Sequence, residues 1–204
     1  MSDQTYIDNI KAQVASGMYD KLFADRSDLV FLDIGANVGI VSIYAVPYCK
    51  RIVAVEPSPG TFEVLKFNTK DYPMIECVQV ALTPVRGQHQ FYVNDVNFTA
   101  SSTVNTYGKR ILVEGETLSQ ILAENNLTHV DVCKIDAEGG EGESLDYYAI
   151  DYAKDIIKEW WIEFHNCPKT TWEHKLGSAV GNFARCGYQH MEVNGMGLWV
   201  KDRL

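Results

Sequence analysis

The sequence predicts a doubly wound α/β fold, a mostly parallel sheet with helices on both faces and an antiparallel hairpin at the C-terminal end. Three observations carry this. Short apolar runs alternate with stretches of helical periodicity, the pattern of βαβ units. The first run, Leu29-Val30-Phe31-Leu32-Asp33-Ile34, breaks into the glycine-bearing turn Gly35-Ala36-Asn37-Val38-Gly39. Near the end, Asn194-Gly195 separates two further apolar runs, a strong hairpin signal.

The elements follow in order. Residues 4–23 place Ile10, Val14, Met18 and Leu22 four apart, and Tyr6 and Ile7 extend that stripe, predicting a helix that caps the domain over residues 1–27. Leu29 to Ile34 reads as a strand buried on both faces. Residues 37–46 read as a helix stopped near Pro47. Arg51 to Glu56 is a second strand, closed by Pro57. Thr61 to Thr69 is a helix with Phe62, Leu65 and Phe67, and Glu76 to Leu82 is a third strand. Residues 87–115 differ in texture: His89 to Val93 and Lys109 to Val113 read as added strands around the polar stretch 94–106. A loop of that length is often functional, and Asn97, Ser101, Ser102 and Thr103 suit a hydroxyl-rich acceptor. Thr117 to Glu124 is a helix, Val130 to Ile135 a fourth buried strand, and Trp160 to Phe164 a fifth. Thr170 and Glu173 match a capping box, followed by Trp172, Leu176, Val180 and Phe183 on one helical face and by Gly187 at the stop position. Tyr188 to Val193 and Leu198 to Lys201 are the hairpin strands.

A chain of 204 residues and 23.0 kDa is sized for a single domain spanning 1–204. At this length folding buries roughly two-thirds of the extended-chain surface, so no disulfide or metal staple is needed. Lys plus Arg number 18 against 27 Asp plus Glu, a formal charge of −9. The basic pairs Lys50-Arg51 and Lys109-Arg110 are too small to make a phosphate-binding patch, so no nucleic-acid partner is expected. No apolar run approaches the ~20 residues of a membrane span. The polar start MSDQTYIDNIKAQ does not resemble a secretory signal. Cys49, Cys77, Cys133, Cys167 and Cys186 are scattered without a C-x-x-C pair, which favours reduced thiols and a cytoplasmic location.

In open parallel sheets, ligands bind beyond the carboxyl ends of the strands. The predicted ends carry Asp33, Glu56, Ala81, Asp136 and His165. A dinucleotide fingerprint would need glycine at 35, 37 and 40, but 37 and 40 are Asn and Ile. A P-loop would need a Gly-Lys-Ser/Thr ending, which is absent. Glu56 follows Gly35 by 21 residues, the place for a carboxylate that accepts from ribose hydroxyls. With Asp33 adding negative charge at the turn, the pattern suits a nucleoside carrying a sulfonium and an ammonium better than a pyrophosphate.

The segments FLDIGANVGIVS, VAVEPSPGTFEVLKFN, VALT, VDVCKIDAEGGE and WWIEFH, in that order over residues 28–166, resemble the FkbM-type S-adenosylmethionine-dependent methyltransferases. Lys134-Ile135-Asp136-Ala137-Glu138-Gly139 is the most specific part, and Gly142-Glu143-Ser144 lengthens the acidic stretch beyond the usual pattern. The resemblance implies the Rossmann-like class I methyltransferase sheet of seven strands, S-adenosyl-L-methionine as cofactor, and methyl transfer most often to a hydroxyl oxygen of a small-molecule or saccharide-like acceptor. It implies that Asp33, Gly35, Ala36, Asn37 and Gly39 form the turn along the methionine part and that Glu56 holds the ribose. Pro57, Ser58, Ala81 and Leu82 would flank the adenine, and Asp136 would face the reactive methyl.

An alcohol is a weak nucleophile near neutral pH, so a positioned base would help. Candidates are His165, Asp136, Glu138 and Glu163, with His165 at the strand tip first. Strand alternation puts Trp161, Glu163 and His165 on one face and Trp160, Ile162 and Phe164 on the other. Asp136, Glu138, Glu141, Glu143 and His165 admit two readings: oxygen ligands and an imidazole around a divalent metal, or a solvated helix N-terminus. An NAD-dependent oxidoreductase on a similar sheet and a non-catalytic cofactor-binding module are the alternative functions.

Overall fold

The computed structural model describes residues 12, 14, 15, 17, 19–93, 108–138, 140–165, 171–193 and 196–201. The predicted polar loop 94–106, Cys167, Thr170, the Asn194-Gly195 turn and most of the predicted N-terminal helix lie outside them. Of that helix, α1 (Asp20–Phe23) is described, with Leu22 and Phe23 buried.

Seven strands form one sheet, in the spatial order Ile75–Val78, Cys49–Val55, Leu29–Ile34, Val130–Ile135, Ile157–Ile162, Met196–Lys201 and Tyr188–Val193. The central strands β1 (Leu29–Ile34) and β7 (Val130–Ile135) are buried at every residue. Both faces of β1 are covered: Val30, Leu32 and Ile34 join one apolar cluster, Leu29 and Phe31 another. This is why the run reads as continuously apolar rather than alternating. Strands β2 (Cys49–Val55) and β3 (Ile75–Val78) add in parallel on one side, and β8 (Ile157–Ile162) adds in parallel on the other. The hairpin β9 (Tyr188–Val193) and β10 (Met196–Lys201) pairs antiparallel, with β10 inserted beside β8. Trp160 and Ile162 lie in the first cluster and Trp161 in the second, as the strand alternation requires.

Helices α2 (Ile40–Ala45), α3 (Pro59–Thr69), α4 (Leu118–Glu124), α5 (Glu141–Ser144), α6 (Tyr147–Ala153) and α7 (Trp172–Arg185) complete the layers. Several predicted boundaries move. Helix α2 starts at Ile40 rather than 37, because Asn37 and Gly39 both take positive φ. Helix α3 starts two residues early, since Pro59 suits a first helical turn. The cap of α7 is Thr171, which accepts from His174 N at 3.4 Å.

The third predicted strand is two. Glu56 N bonds Val78 O, ending the large-sheet ladder, and Ala81–Leu82 (β4) turns away to pair with β6 (Lys109–Glu116). With β5 (Gly87–Val93) they make a separate sheet, order β4-β6-β5. Gly115 allows this corner: a Cβ there would lie 2.4 Å from the His89 ring and 2.6 Å from Thr83 Oγ1. Among the described residues Cys49, Cys77, Cys133 and Cys186 form no disulfide, and no helix is long and apolar enough to cross a membrane.

Candidate active site

The turn after β1 is built from backbone. Gly35 N and Ala36 N both donate to Val55 O at 2.9 Å, tying the turn to β2. Gly35 has φ 78°, and a Cβ there would lie 1.8 Å from Asp136 O, so only glycine lets the ends of β1 and β7 meet. Gly39 has φ 88° and faces Leu65 and Thr69 of α3, where a Cβ would lie 2.7 Å from Leu65 Cδ1.

Glu56 follows β2 and is almost wholly buried. Its two oxygens each take a backbone donor: Asn37 N at 3.1 Å on Oε2 and Ser58 N at 2.9 Å on Oε1. Burial pushes its carboxyl up to about 7, against the pull of those two donors. Asn37 in turn accepts from Val38 N at 2.8 Å through its side chain. Ser58 caps α3, its carbonyl accepting from Phe62 N. Ala81 and Leu82 are buried in β4, and Leu82 O accepts from Ser144 Oγ at 3.4 Å, so β4 adjoins the last residue of α5.

Asp33 is sealed beneath the turn. Ser42 Oγ donates to its Oδ2 at 2.7 Å, and Lys134 Nζ lies 3.2 Å from Oδ1. Lys134 also reaches Gly35 O at 3.4 Å and Asp136 Oδ2 at 3.5 Å. Burial works against the lysine charge, but Asp33 and Asp136 outweigh it and its pKa rises. One ammonium thus joins the turn to the next group of residues. Tyr19 is buried close to the same charges; burial pushes its phenol up to about 12, Lys134 opposing and Asp136, Asp33 and Glu163 adding.

Beyond β7 and β8, acids converge on one imidazole. His165 Nε2 lies 3.7 Å from Asp136, 3.9 Å from Glu138 and 3.5 Å from Glu163. His165 Nδ1 lies 3.2 Å from Glu141 Oε1, and in the protonated ring both nitrogens donate. Burial disfavours the imidazolium, yet Glu141, Glu163, Glu138 and Asp136 push it up to about 11, so His165 is a cation at neutral pH. Burial raises Glu138 to about 8 and also raises Asp136, where Lys134 opposes it. Glu163 is lowered, chiefly by His165. Asp136, Glu138 and His165 each offer a ligand atom within 4.8 Å of the others, a set with the chemistry to hold a metal ion. The predicted solvated helix N-terminus holds for exposed Glu143 but not for Glu141, whose side chain is wholly buried.

Among the described residues, the Asp33–Gly35 turn and the Asp136–Glu138–Glu163–His165 cluster are two groups bridged by Lys134, while Asn97, Ser101, Ser102 and Thr103 lie outside the described residues. Sequence reasoning missed Tyr19, Ser42 and Lys175 as members, and placed Lys134 only within a motif. A lysine at the penultimate position of a buried strand is the one signal that marked Lys134 in advance.

Residues 33–189 match the family model described as the methyltransferase FkbM domain. No curated protein matches the chain. Among solved structures, precorrin-6y C5,15-methyltransferase from Geobacter metallireducens is similar at TM-score 0.52 and 20% identity, covering 88% of this chain and 72% of that one. A putative RNA methyltransferase from Pyrococcus horikoshii gives 0.52 and 13%, covering 92% and 83%. A TehB-like SAM-dependent methyltransferase from Corynebacterium glutamicum gives 0.50 and 16%, covering 98% and 97%. At these identities the likeness is one of fold.

Proposed function

This chain belongs to the FkbM methyltransferase domain family, whose cofactor is S-adenosyl-L-methionine, and on that premise we propose that it methylates a hydroxyl oxygen of a small-molecule or saccharide-like acceptor. The observation that supports this is the junction of two groups: the Gly35 turn and the Asp136–Glu138–Glu163–His165 cluster meet where Gly35 touches Asp136 O. A proton-handling cluster beside a methyl donor suits an acceptor that must lose a proton.

The residues present fit the cofactor. The cradle at Gly35 excludes any side chain, and Glu56, held by two backbone donors, keeps lone pairs for a ribose diol. When bound, S-adenosyl-L-methionine supplies a methyl already activated by its sulfonium. In this reading Asp33, Gly35, Ala36, Asn37 and Gly39 shape the methionine side, Glu56 holds the ribose, and Pro57, Ser58, Ala81 and Leu82 flank the adenine.

The protein's own work is orientation, water exclusion and removal of one proton. With the cofactor held by the Gly35 turn and Glu56 to supply the methyl and a leaving sulfur, Asp136 would take the proton of the acceptor hydroxyl. His165, already cationic, orients the acceptor oxygen and Asp136, while Glu163, held down by His165, balances its charge and Glu138 keeps its proton near neutral pH. The base role expected of His165 thus passes in this proposal to its partner. A raised carboxyl is a better match to a hydroxyl proton near neutral pH than an ordinary one.

A second reading has its own observation: the ligand atoms of Asp136, Glu138 and His165 lie close enough to share a divalent cation. Such an ion would lower the acceptor's pKa and replace the base.

A thermal-shift panel tests the cofactor. S-adenosylhomocysteine at ~100 times its dissociation constant should add ~2.7 kcal/mol. Stabilisation by NAD alone would favour the oxidoreductase. Methyl-tritiated cofactor with panels of sugars, phenols and small alcohols then tests the acceptor. Label found only in amines or RNA would overturn the hydroxyl assignment, and binding with no transfer to any acceptor would select the non-catalytic module.

A further inference from the structure

Behind His165, on the side away from Asp136, lies a buried charged pair to which the reading above gives no role. Glu141 opens α5 and Lys175 lies in the first turns of α7, and both side chains are almost completely sealed from solvent. Glu141 Oε1 accepts from Ala137 N at 3.0 Å and meets His165 Nδ1 at 3.2 Å. Lys175 Nζ donates to His165 O at 2.8 Å and stands 3.8 Å from Glu141 Oε2. The pair therefore holds His165 twice, by ring and by backbone, where the chain leaves β8.

The route of Lys175 to that point is built for it. A Cβ at Gly142 would lie 2.8 Å from Lys175 Cγ and 3.0 Å from Cδ. Residue 142 is bare where the lysine stem crosses α5. Two buried charges are an expensive way to join two helices, since apolar side chains of similar volume often serve stability as well or better. What apolar side chains cannot do is accept from the Nδ1 side of the imidazole and so set which way Nε2 points.

We propose that Glu141 and Lys175 are positioning residues for methyl transfer, a clamp that fixes the orientation and the Nδ1 proton of His165 and so presents Nε2 to Asp136, Glu138 and Glu163. Neither touches the reacting atoms; both act through His165. The proposal rests on the reading of His165 given above. The design is that of a base or orienting histidine held by a buried carboxylate on its far nitrogen.

The double variant Glu141→Leu/Lys175→Met removes both charges together and leaves an apolar pair. In 15N-histidine-labelled protein, the His165 Nδ1 proton resonance, assigned against His165→Gln, should be present in the wild type and lost in the double variant. The variant should bind S-adenosylhomocysteine within about threefold of wild type, because the turn and Glu56 are untouched, and turnover of the acceptor found by the tritium panel should fall at least about tenfold, within the range of base effects. An Nδ1 resonance and turnover both unchanged would overturn the clamp. If the double variant does not fold, Glu141→Gln, which keeps an acceptor at Oε1, should still shift the Nδ1 proton upfield as the hydrogen bond loses its charge; an unmoved resonance there overturns the clamp equally. Failure of the wild type to bind S-adenosylhomocysteine would instead count against the methyltransferase reading, and the resonance would still decide the clamp.

Discussion

Lys134 Nζ stands 3.2 Å from Asp33 Oδ1, and both side chains are out of reach of solvent at the centre of the sheet edge. The pair sits on neighbouring strands in direct register, Asp33 opposite Lys134. Its position makes it the hinge of the site, because the same ammonium also faces Asp136 and the carbonyl of Gly35.

Lys134→Met should therefore do more than remove an ion pair. Among the described residues it leaves a buried carboxylate with Ser42 as its remaining hydrogen-bond donor, and losing one member of such a pair costs about 3–5 kcal/mol. Urea unfolding would measure it, and Lys134→Met/Asp33→Asn should recover much of the loss. A single variant as stable as wild type would contradict the pairing.

Gly35→Ala should abolish cofactor binding. The added methyl would lie 1.8 Å from Asp136 O, a backbone atom that cannot step aside without parting β1 from β7. The positive φ adds about 1–2 kcal/mol of its own. Calorimetry with S-adenosylhomocysteine, beside circular dichroism for the fold, would show it. Wild-type affinity would mean that the turn is not the cradle.

Glu56 should make both stability and binding depend on pH. Its folded-state carboxyl stands at about 7, above the ordinary 4.5, because of burial. The raised value favours folding with the proton on, a contribution complete below 4.5 and lost as pH rises through about 7. The melting temperature of the free protein should fall across that window, and Glu56→Gln should blunt the fall. Binding runs the other way. A ribose diol donates to the carboxylate, so affinity for S-adenosylhomocysteine should climb between pH 6 and 8, by up to about tenfold per unit below the midpoint. In Glu56→Gln the climb should vanish and affinity drop; a pH profile shared with wild type would exonerate Glu56.

Asp136→Asn should lower turnover by about 10²–10⁴-fold if Asp136 takes the proton, while cofactor affinity changes little. Activity should persist after exhaustive treatment with EDTA. Loss of activity restored by Mg²⁺ would transfer the role to a metal held by Asp136, Glu138 and His165.

Local pattern carried the strands well. Leu29–Ile34 and Val130–Ile135 match their predicted spans, because strands buried on both faces need unbroken apolar runs with turn residues after them. The break between Val78 and Ala81 was not legible. Both halves are apolar and extended, and only the pairing of Ala81 with Gly115 decides which sheet receives the second half. The glycine turn, Glu56 and Asp136 were legible because they sit at strand ends, where ligand residues gather in such folds. Lys175 and the inward face of Glu141 were not. Glu141 begins a short helix, where an acid ordinarily faces water, and it turns inward only because α7 brings Lys175 across Gly142 from 34 positions along the chain. Charge partners joined by tertiary packing leave no spacing to read.

The small sheet has a consequence of another kind. Residues 94–107 leave from the end of β5 and return at the start of β6, so they begin and end on a platform that shares no rung with the seven-stranded ladder. Neither strand flanking that segment contributes a rung to the large sheet. A library grafted there would be anchored on strands of the small sheet alone.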